Sequence, residues 1–181
     1  HQATLEAVRH LIGLGHRRIA FIAGYPNMVV TLDRLAGYRQ ALDEAGLPYD
    51  EGLVAYGQFR QEGGAEAMRP FLAMNGSRPT AVFAANDLMA VGAMQAAAEA
   101  GLEVPRDCSV VGSNDSPVAA FSCPRLTSSR APYHELAREA AQALIAQLQG
   151  MPPDPVKRLL PCELVVREST APPRAGVGLA G

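Results

Sequence analysis

Ile19-Ala20-Phe21-Ile22-Ala23-Gly24 is the stretch on which the reading of this chain turns. Its apolar residues run without alternation and stop at a glycine, so they suit a strand covered on both faces, as in a parallel sheet, better than one half open to water. Just before it, Leu5, Val8, Leu11 and Ile12 fall at helical spacing, and Gly15 can supply the left-handed residue that ends a helix. Beyond it the cycle repeats: a helix with Leu35, Tyr38 and Leu42 ending at Gly46, a strand over Leu53–Tyr56, and a helix marked by Ala65, Met68 and Leu72. Pro70 is expected to kink or shorten the first turns of that helix. A third strand over Thr80–Ala84 leads into a helix with Asn86 as cap and Asp87 in its first turn, ending at Gly101. A fourth strand, Cys108–Gly112, is followed by an irregular stretch from Ser113 to Arg125. Pro132 then opens a long helix with a Leu136, Ala140, Leu144, Leu148 stripe, and a late strand spans Leu164–Arg167. Strands alternating with helices of this length predict an α/β fold with a doubly wound parallel sheet.

Composition narrows the function classes. The chain has 181 residues, 48% hydrophobic and 19% charged, enough for one buried core. A net charge of −2 and a pI near 6.1 offer phosphates no electrostatic footprint, so this piece is not expected to grip DNA by itself. No apolar run is long enough to cross a membrane, and residues His1–Leu11 lack the pattern of a signal peptide. Cys108, Cys123 and Cys162 are odd in number and scattered, which argues against a disulfide framework or zinc site and fits a reducing cytoplasm. The chain opens directly in helical sequence, as if at a cut, while 171–181 is rich in Pro, Gly and Ala and is expected to be frayed.

In an open parallel sheet ligands sit beyond the carboxyl ends of the strands. Arg34 follows the first strand, Phe59 the second, Asn86 and Asp87 the third, Asn114 and Asp115 the fourth. A guanidinium fork, an aromatic face and short polar side chains suit a small polyhydroxyl ligand or a nucleobase. Each has a plainer reading: Arg34 as an ion-pair partner of Asp33, Phe59 as core, Asn86 and Asp87 as helix cap and dipole complement, Asn114 and Asp115 as turn formers. Catalysis is disfavoured. There is no G-x-S-x-G elbow, no histidine pair at helical spacing and no glycine-rich phosphate loop after the first strand, so no cofactor is expected. His16 reads as a helix C-terminal residue rather than a general base.

Leu14-Gly15-His16-Arg17-Arg18-Ile19-Ala20-Phe21-Ile22, Arg34-Leu35-Ala36-Gly37-Tyr38, Pro79 to Ala90, Ser109-Val110-Val111-Gly112 and Leu164 to Ser169 together closely resemble, in order and spacing, the LacI/GalR repressors. The resemblance covers roughly residues 1 to 170. It implies a periplasmic-binding-protein-like core of two lobes, a homodimer, and a helix-turn-helix headpiece through which alone operator DNA would be bound. On that basis 1–132 and 161–170 are the C-terminal lobe, 133–160 is a crossover helix belonging to a missing N-terminal lobe, and 171–181 is a disordered tail. The resemblance makes Arg34, Phe59, Asn86 and Asp87 effector-binding positions. Asn114 stands where the family commonly has an effector-contacting aspartate, preceded by Ser113 where an aromatic is usual. An amide donates as well as accepts, so the effector is expected to present an acceptor there unless the contact is lost. The implied function is a cytoplasmic, effector-responsive transcriptional repressor, not an enzyme, with a sugar as default effector. The alternative is a periplasmic or surface solute-binding protein of the same fold.

Overall fold

The computed structural model describes residues 1–74, 76–152 and 159–174. Its strands are β1 (Ile19–Ala23), β2 (Val54–Tyr56), β3 (Ala81–Ala84), β4 (Ser109–Ser113), β5 (Thr127–Arg130) and β6 (Glu163–Val165). They form one sheet in the order β2-β1-β3-β4-β5-β6, parallel from β2 to β5, with β6 antiparallel at the edge. The chain leaves β1 toward β2 on one side and returns to β3 on the other. That reversal opens a crevice beyond the carboxyl ends of β1 and β3.

The helices are α1 (Gln2–Gly13), α2 (Val29–Glu44), α3 (Gln61–Leu72), α4 (Asp87–Glu99), a single turn α5 (Pro117–Phe121) and α6 (Tyr133–Leu148). α1 packs with α2 and α3 with α4. Every residue of β1, β3 and β4 is buried between them, as the unbroken apolar run of β1 predicted. Phe21 stacks on Phe83 with ring centroids 5.5 Å apart, and Tyr38 fills the same layer while its hydroxyl donates to the Ile19 carbonyl at 2.8 Å. The approach of α3 to α4 requires glycine: a Cβ on Gly92 would overlap the Gln61 carbonyl oxygen, and one on Gly64 the Met89 carbonyl.

The doubly wound fold is as the sequence implies, and four local expectations change. First, β5 falls just beyond the stretch read as irregular. Thr127-Ser128-Ser129 carries no apolar signal, yet all three are buried, because hydrogen bonds satisfy them: Thr127 N–H to Ser169 Oγ (2.8 Å), Ser128 hydroxyl to Asp87, Ser129 hydroxyl to the Ala3 carbonyl (3.2 Å). Second, α3 starts at Gln61, so Pro70 lies in its last turn rather than its first; the missing N–H forfeits an i→i−4 bond there, and only Phe71 and Leu72 follow before the helix ends. Third, His16 does close the end of α1, its N–H donating to the Leu11 carbonyl at 3.1 Å, but its ring is also buried, 1% exposed and bonded to Thr80 Oγ1 (2.9 Å), Ser109 Oγ (3.1 Å) and the Ala171 carbonyl (2.9 Å). Fourth, the segment expected to fray is anchored as far as Arg174: Ala171 N–H donates to Ser109 Oγ (3.0 Å) and Arg174 pairs with Asp107 (2.9 Å). The remainder of that tail, 175–181, and residues 153–158 of the crossover segment lie outside the described residues.

α6 differs from the other long helices in having no buried residue, with Leu136, Leu144, Ile145 and Leu148 all exposed. Among the described residues no helix is long and apolar enough to cross a membrane.

Candidate functional site

The loops after β1 to β5 all emerge at the carboxyl end of the sheet. α2 starts there without a side-chain cap on Met28 and without an acidic residue in its first turn. Arg34 lies in its second turn, and side chains on a helix lean toward its N-terminus, here toward the crevice. It is half-buried and makes no hydrogen bond or ion pair with any described residue, Asp33 included. Burial lowers the proton affinity of its guanidinium, while the neighbouring Tyr133 hydroxyl and Cys162 thiol act in the opposite sense.

Phe59 stands on the β2–α3 loop in a left-handed conformation (φ +60°), after Gln58 at +55°. Two such residues in succession are costly for L side chains and persist only where surroundings hold them. The holding contacts are visible. The Phe59 ring lies flat over Gly24, where any Cβ would overlap it, and its carbonyl accepts from Asn86 Nδ2 at 3.0 Å. Tyr25 adds a second, half-exposed ring 6.2 Å away.

Asn86 caps α4 by accepting from Met89 N–H at 2.9 Å, so both ends of its amide are engaged. Asp87 is 1% exposed. Its Oδ1 accepts from the Ser128 hydroxyl (2.5 Å) and its Oδ2 from Ser116 N–H (2.6 Å) and hydroxyl (2.8 Å). Burial raises its pKa above the usual carboxylate value, although these donors pull it down. The pair thus ties β3, β5 and the β4–α5 loop together.

After β4 the backbone turns through Asn114 (φ +105°) and Asp115 (φ +48°), residue types that tolerate the left-handed region best after glycine. Asp115 points into the protein: Oδ1 pairs with Arg167 at 2.6 Å and Oδ2 with Arg130 at 2.7 Å. Burial alone would raise its pKa, but the two guanidiniums outweigh burial and hold it below the usual carboxylate value. Asn114 Oδ1 accepts from the Tyr133 hydroxyl at 3.2 Å, and its Nδ2 donates to no described residue. Asn114 and Tyr133 line an open cavity of about 580 Å³ bounded by the β5–α6 link, and Pro161 and Glu163 flank Cys162 on its rim.

Of the six sequence candidates, the structure brings both Arg34 and Asn114 near Tyr133, and sets Phe59 beside Asn86. Asp87 is drawn inside, and Asp115, paired with Arg130 and Arg167, lines the same cavity as Asn114. Tyr133, Arg130 and Arg167 were not singled out from sequence. Recognising β5 would have found Tyr133, since it follows a strand end like the others.

Residues 8–170 match the periplasmic binding protein-like domain family. Among solved structures, a sugar-binding transcriptional regulator of the LacI family from Escherichia coli, complexed with phosphate, superposes with a TM-score of 0.87 at 36% identity, covering 95% of this chain and 61% of that one. The chain belongs to the LacI/GalR family. It is 44% identical over 164 residues to the HTH-type transcriptional regulator CelR of Thermobifida fusca, covering 91% of this chain and 48% of that protein. It is 40% identical over 168 residues to the repressor CytR of Escherichia coli strain K12, covering 93% and 49%. A CelR–cellobiose complex has a TM-score of 0.86 at 44% identity, covering 92% and 51%. The chain thus spans about half the length of the curated relatives it matches. These relatives are regulators of transcription, not enzymes.

Proposed function

We propose that this chain is the C-terminal lobe of a cytoplasmic, effector-responsive transcriptional repressor. A small polar effector, with a sugar as first candidate, is held beyond the carboxyl ends of the strands by Arg34, Asn114 and the Phe59 face. Operator DNA is engaged by a headpiece outside residues 1–181. The observation that carries this reading is Arg34, a half-buried cation with no partner among the described residues, near Tyr133, whose hydroxyl donates to Asn114 and which lines the cavity.

Two further features support the architecture. The unburied face of α6 suits a helix that crosses to a second lobe supplied by the rest of the protein. A homodimer contact centred on Leu88 and Phe121 suits their 45% and 86% exposure. Met94, in the same helix as Leu88, is 7% exposed and belongs to the core rather than to that contact.

The test is effector-dependent release from operator DNA by the full-length protein, with cellobiose, the ligand of the CelR complex, as the first probe. Arg34→Ala should weaken the response about ten- to hundred-fold, as expected for losing about 1.5 to 3 kcal/mol of charge-assisted hydrogen bonding. Folding stability should stay within about 0.5 kcal/mol, because Arg34 makes no hydrogen bond or ion pair with a described residue. An unchanged response, or one lost only through unfolding, refutes the reading.

A further inference from the structure

The amino end of the sheet, opposite the crevice, carries a small cavity of about 110 Å³. His16 reaches it from just ahead of β1, Arg78 and Thr80 from ahead of β3, Arg106 and Asp107 from ahead of β4, and Arg174 from the C-terminal segment. Three guanidiniums from three separate segments thus meet at one cavity whose wall holds a single carboxylate.

That carboxylate is shared by two of them. Asp107 Oδ1 accepts from Arg174 at 2.9 Å, and Oδ2 accepts from Arg106 at 3.2 Å and from the Glu103 N–H at 2.9 Å. Glu103, whose side chain is not part of the wall, pairs with Arg106 at 2.7 Å. Arg78 is left over. It is half-buried and makes no hydrogen bond or ion pair with a described residue, and the guanidiniums that act on the Asp107 carboxyl are those of Arg106 and Arg174. Its charge is felt instead at the buried Cys108 thiol, which burial pushes up to about 12 and Arg78 draws the other way. Three cations therefore face two carboxylates, and the surplus positive charge sits at Arg78.

The other polar groups of the wall are neutral and already bonded: His16 Nε2 to the Ala171 carbonyl, and its Nδ1 to the Thr80 hydroxyl. Exposed carbonyls at the C-terminal end of α1 would repel an anion, but those of Ile12 and His16 accept from Arg17 at 3.1 and 3.2 Å.

Size selects the ligand. Pockets for drug-sized molecules start at roughly 300 Å³, whereas one water needs about 10 to 15 Å³ of such space. A cavity of about 110 Å³ holds a few waters or one tetrahedral oxyanion, not a sugar. An oxyanion also matches guanidinium forks in charge and in hydrogen-bonding geometry.

We propose that this cavity is a second binding site, which takes one phosphate- or sulfate-sized oxyanion on Arg78, with further N–H donors from Arg106 and Arg174. The bound ion ties the C-terminal segment to the α3–β3 link. The site lies at the opposite end of the strands from the effector crevice and does not depend on the reading of that crevice.

The test is calorimetric titration of the full-length protein with sodium phosphate, sodium sulfate and glycerol 3-phosphate, with chloride holding the ionic strength constant because screening weakens charge contacts. Phosphate or sulfate should bind once per chain and raise the melting temperature by mass action. Arg78→Gln should weaken that binding about tenfold or more and remove the rise, while Arg78→Lys, which keeps the charge but not the fork, should restore part of both. Arg174→Gln, at a 55% exposed side chain, should also weaken binding, and it decides the matter if Arg78→Gln alters the melting temperature of the ion-free protein. Arg34→Gln, at the other end of the sheet, should leave the binding unchanged. Glycerol 3-phosphate binding more tightly than phosphate assigns the site to a phosphoryl group on a larger molecule, and weaker binding assigns it to the free ion. Saturable binding by none of the three, binding that survives both Arg78→Gln and Arg174→Gln, or binding lost in Arg34→Gln overturns the inference.

Discussion

Removing Asp115 should damage the fold more than any other single change at the candidate site. Its side chain is 7% exposed and faces Arg167, itself 14% exposed, at 2.6 Å, and Arg130, 48% exposed, at 2.7 Å. Breaking a buried pair by deleting one partner costs about 3 to 5 kcal/mol, because the other charge is left desolvated. Arg167 would keep its bond to the Leu126 carbonyl at 2.7 Å, which places the loss toward or below the lower end of that range. The Arg130 contact, half in solvent, adds at most about 1 kcal/mol. Asp115→Ala is therefore expected to cost about 3 kcal/mol in urea denaturation at pH 7, without the change in m-value that a looser denatured state would bring. A double-mutant cycle of Asp115→Asn with Arg167→Gln should show a coupling of at least about 1 kcal/mol. The sign with pH follows from the depressed folded-state pKa of Asp115. The stabilisation is present above the unfolded-state value of 3.8 and is lost as pH falls through the lower folded value. A loss under about 1 kcal/mol at pH 7, or a coupling near zero, would show that the carboxylate is not holding the β4, β5 and Arg167 segments together.

Three other outcomes are expected. His16 Nε2 must donate to the Ala171 carbonyl, and in the neutral ring that burial favours Nδ1 then accepts from the Thr80 hydroxyl. Burial, its largest perturbation, lowers its pKa below 6.5, so its contribution to stability is complete above that value and is lost as pH falls through the folded-state pKa. Denaturation across that window should show a decline that His16→Gln reduces, the remainder coming from His10, also lowered by burial; an equal slope in both proteins would contradict this. Gly92→Ala should destabilise by about 1 to 3 kcal/mol in the same assay, because the overlap with Gln61 forces α3 from α4 and outweighs the better helix propensity of alanine; a stabilised variant would refute the close approach. Phe121→Asp should dissociate the proposed dimer of the full-length protein in sedimentation at micromolar concentration while leaving the lobe folded, and an unaltered dimer would move the interface elsewhere.

How far the sequence could be read depended on whether a signal was local. β1 and β3 were legible because a strand covered on both faces writes itself as a continuous apolar run. β5 was not, because its burial is made possible by partners as distant as Ala3 and Ser169. The same divide runs through the site. Position after a strand end correctly marks which side chains reach the carboxyl edge of the sheet, but it does not say which of them keep free hydrogen-bonding capacity. Asp115 is consumed by Arg130, 15 residues on, and Arg167, 52 residues on, and His16 is held by Ala171, 155 residues away. Carboxylates are the most easily consumed, since each offers several lone pairs to whatever serine or arginine the fold brings near. Arg34 escapes for a reason that is local after all. Its sequence neighbour Asp33 is rotated well around the helix, where adjacent residues do not face each other, and neither position 30 nor 31, one turn back on its own face, carries a carboxylate. Adjacency in sequence suggested an ion pair that helical geometry forbids, and the guanidinium meets no partner among the described residues.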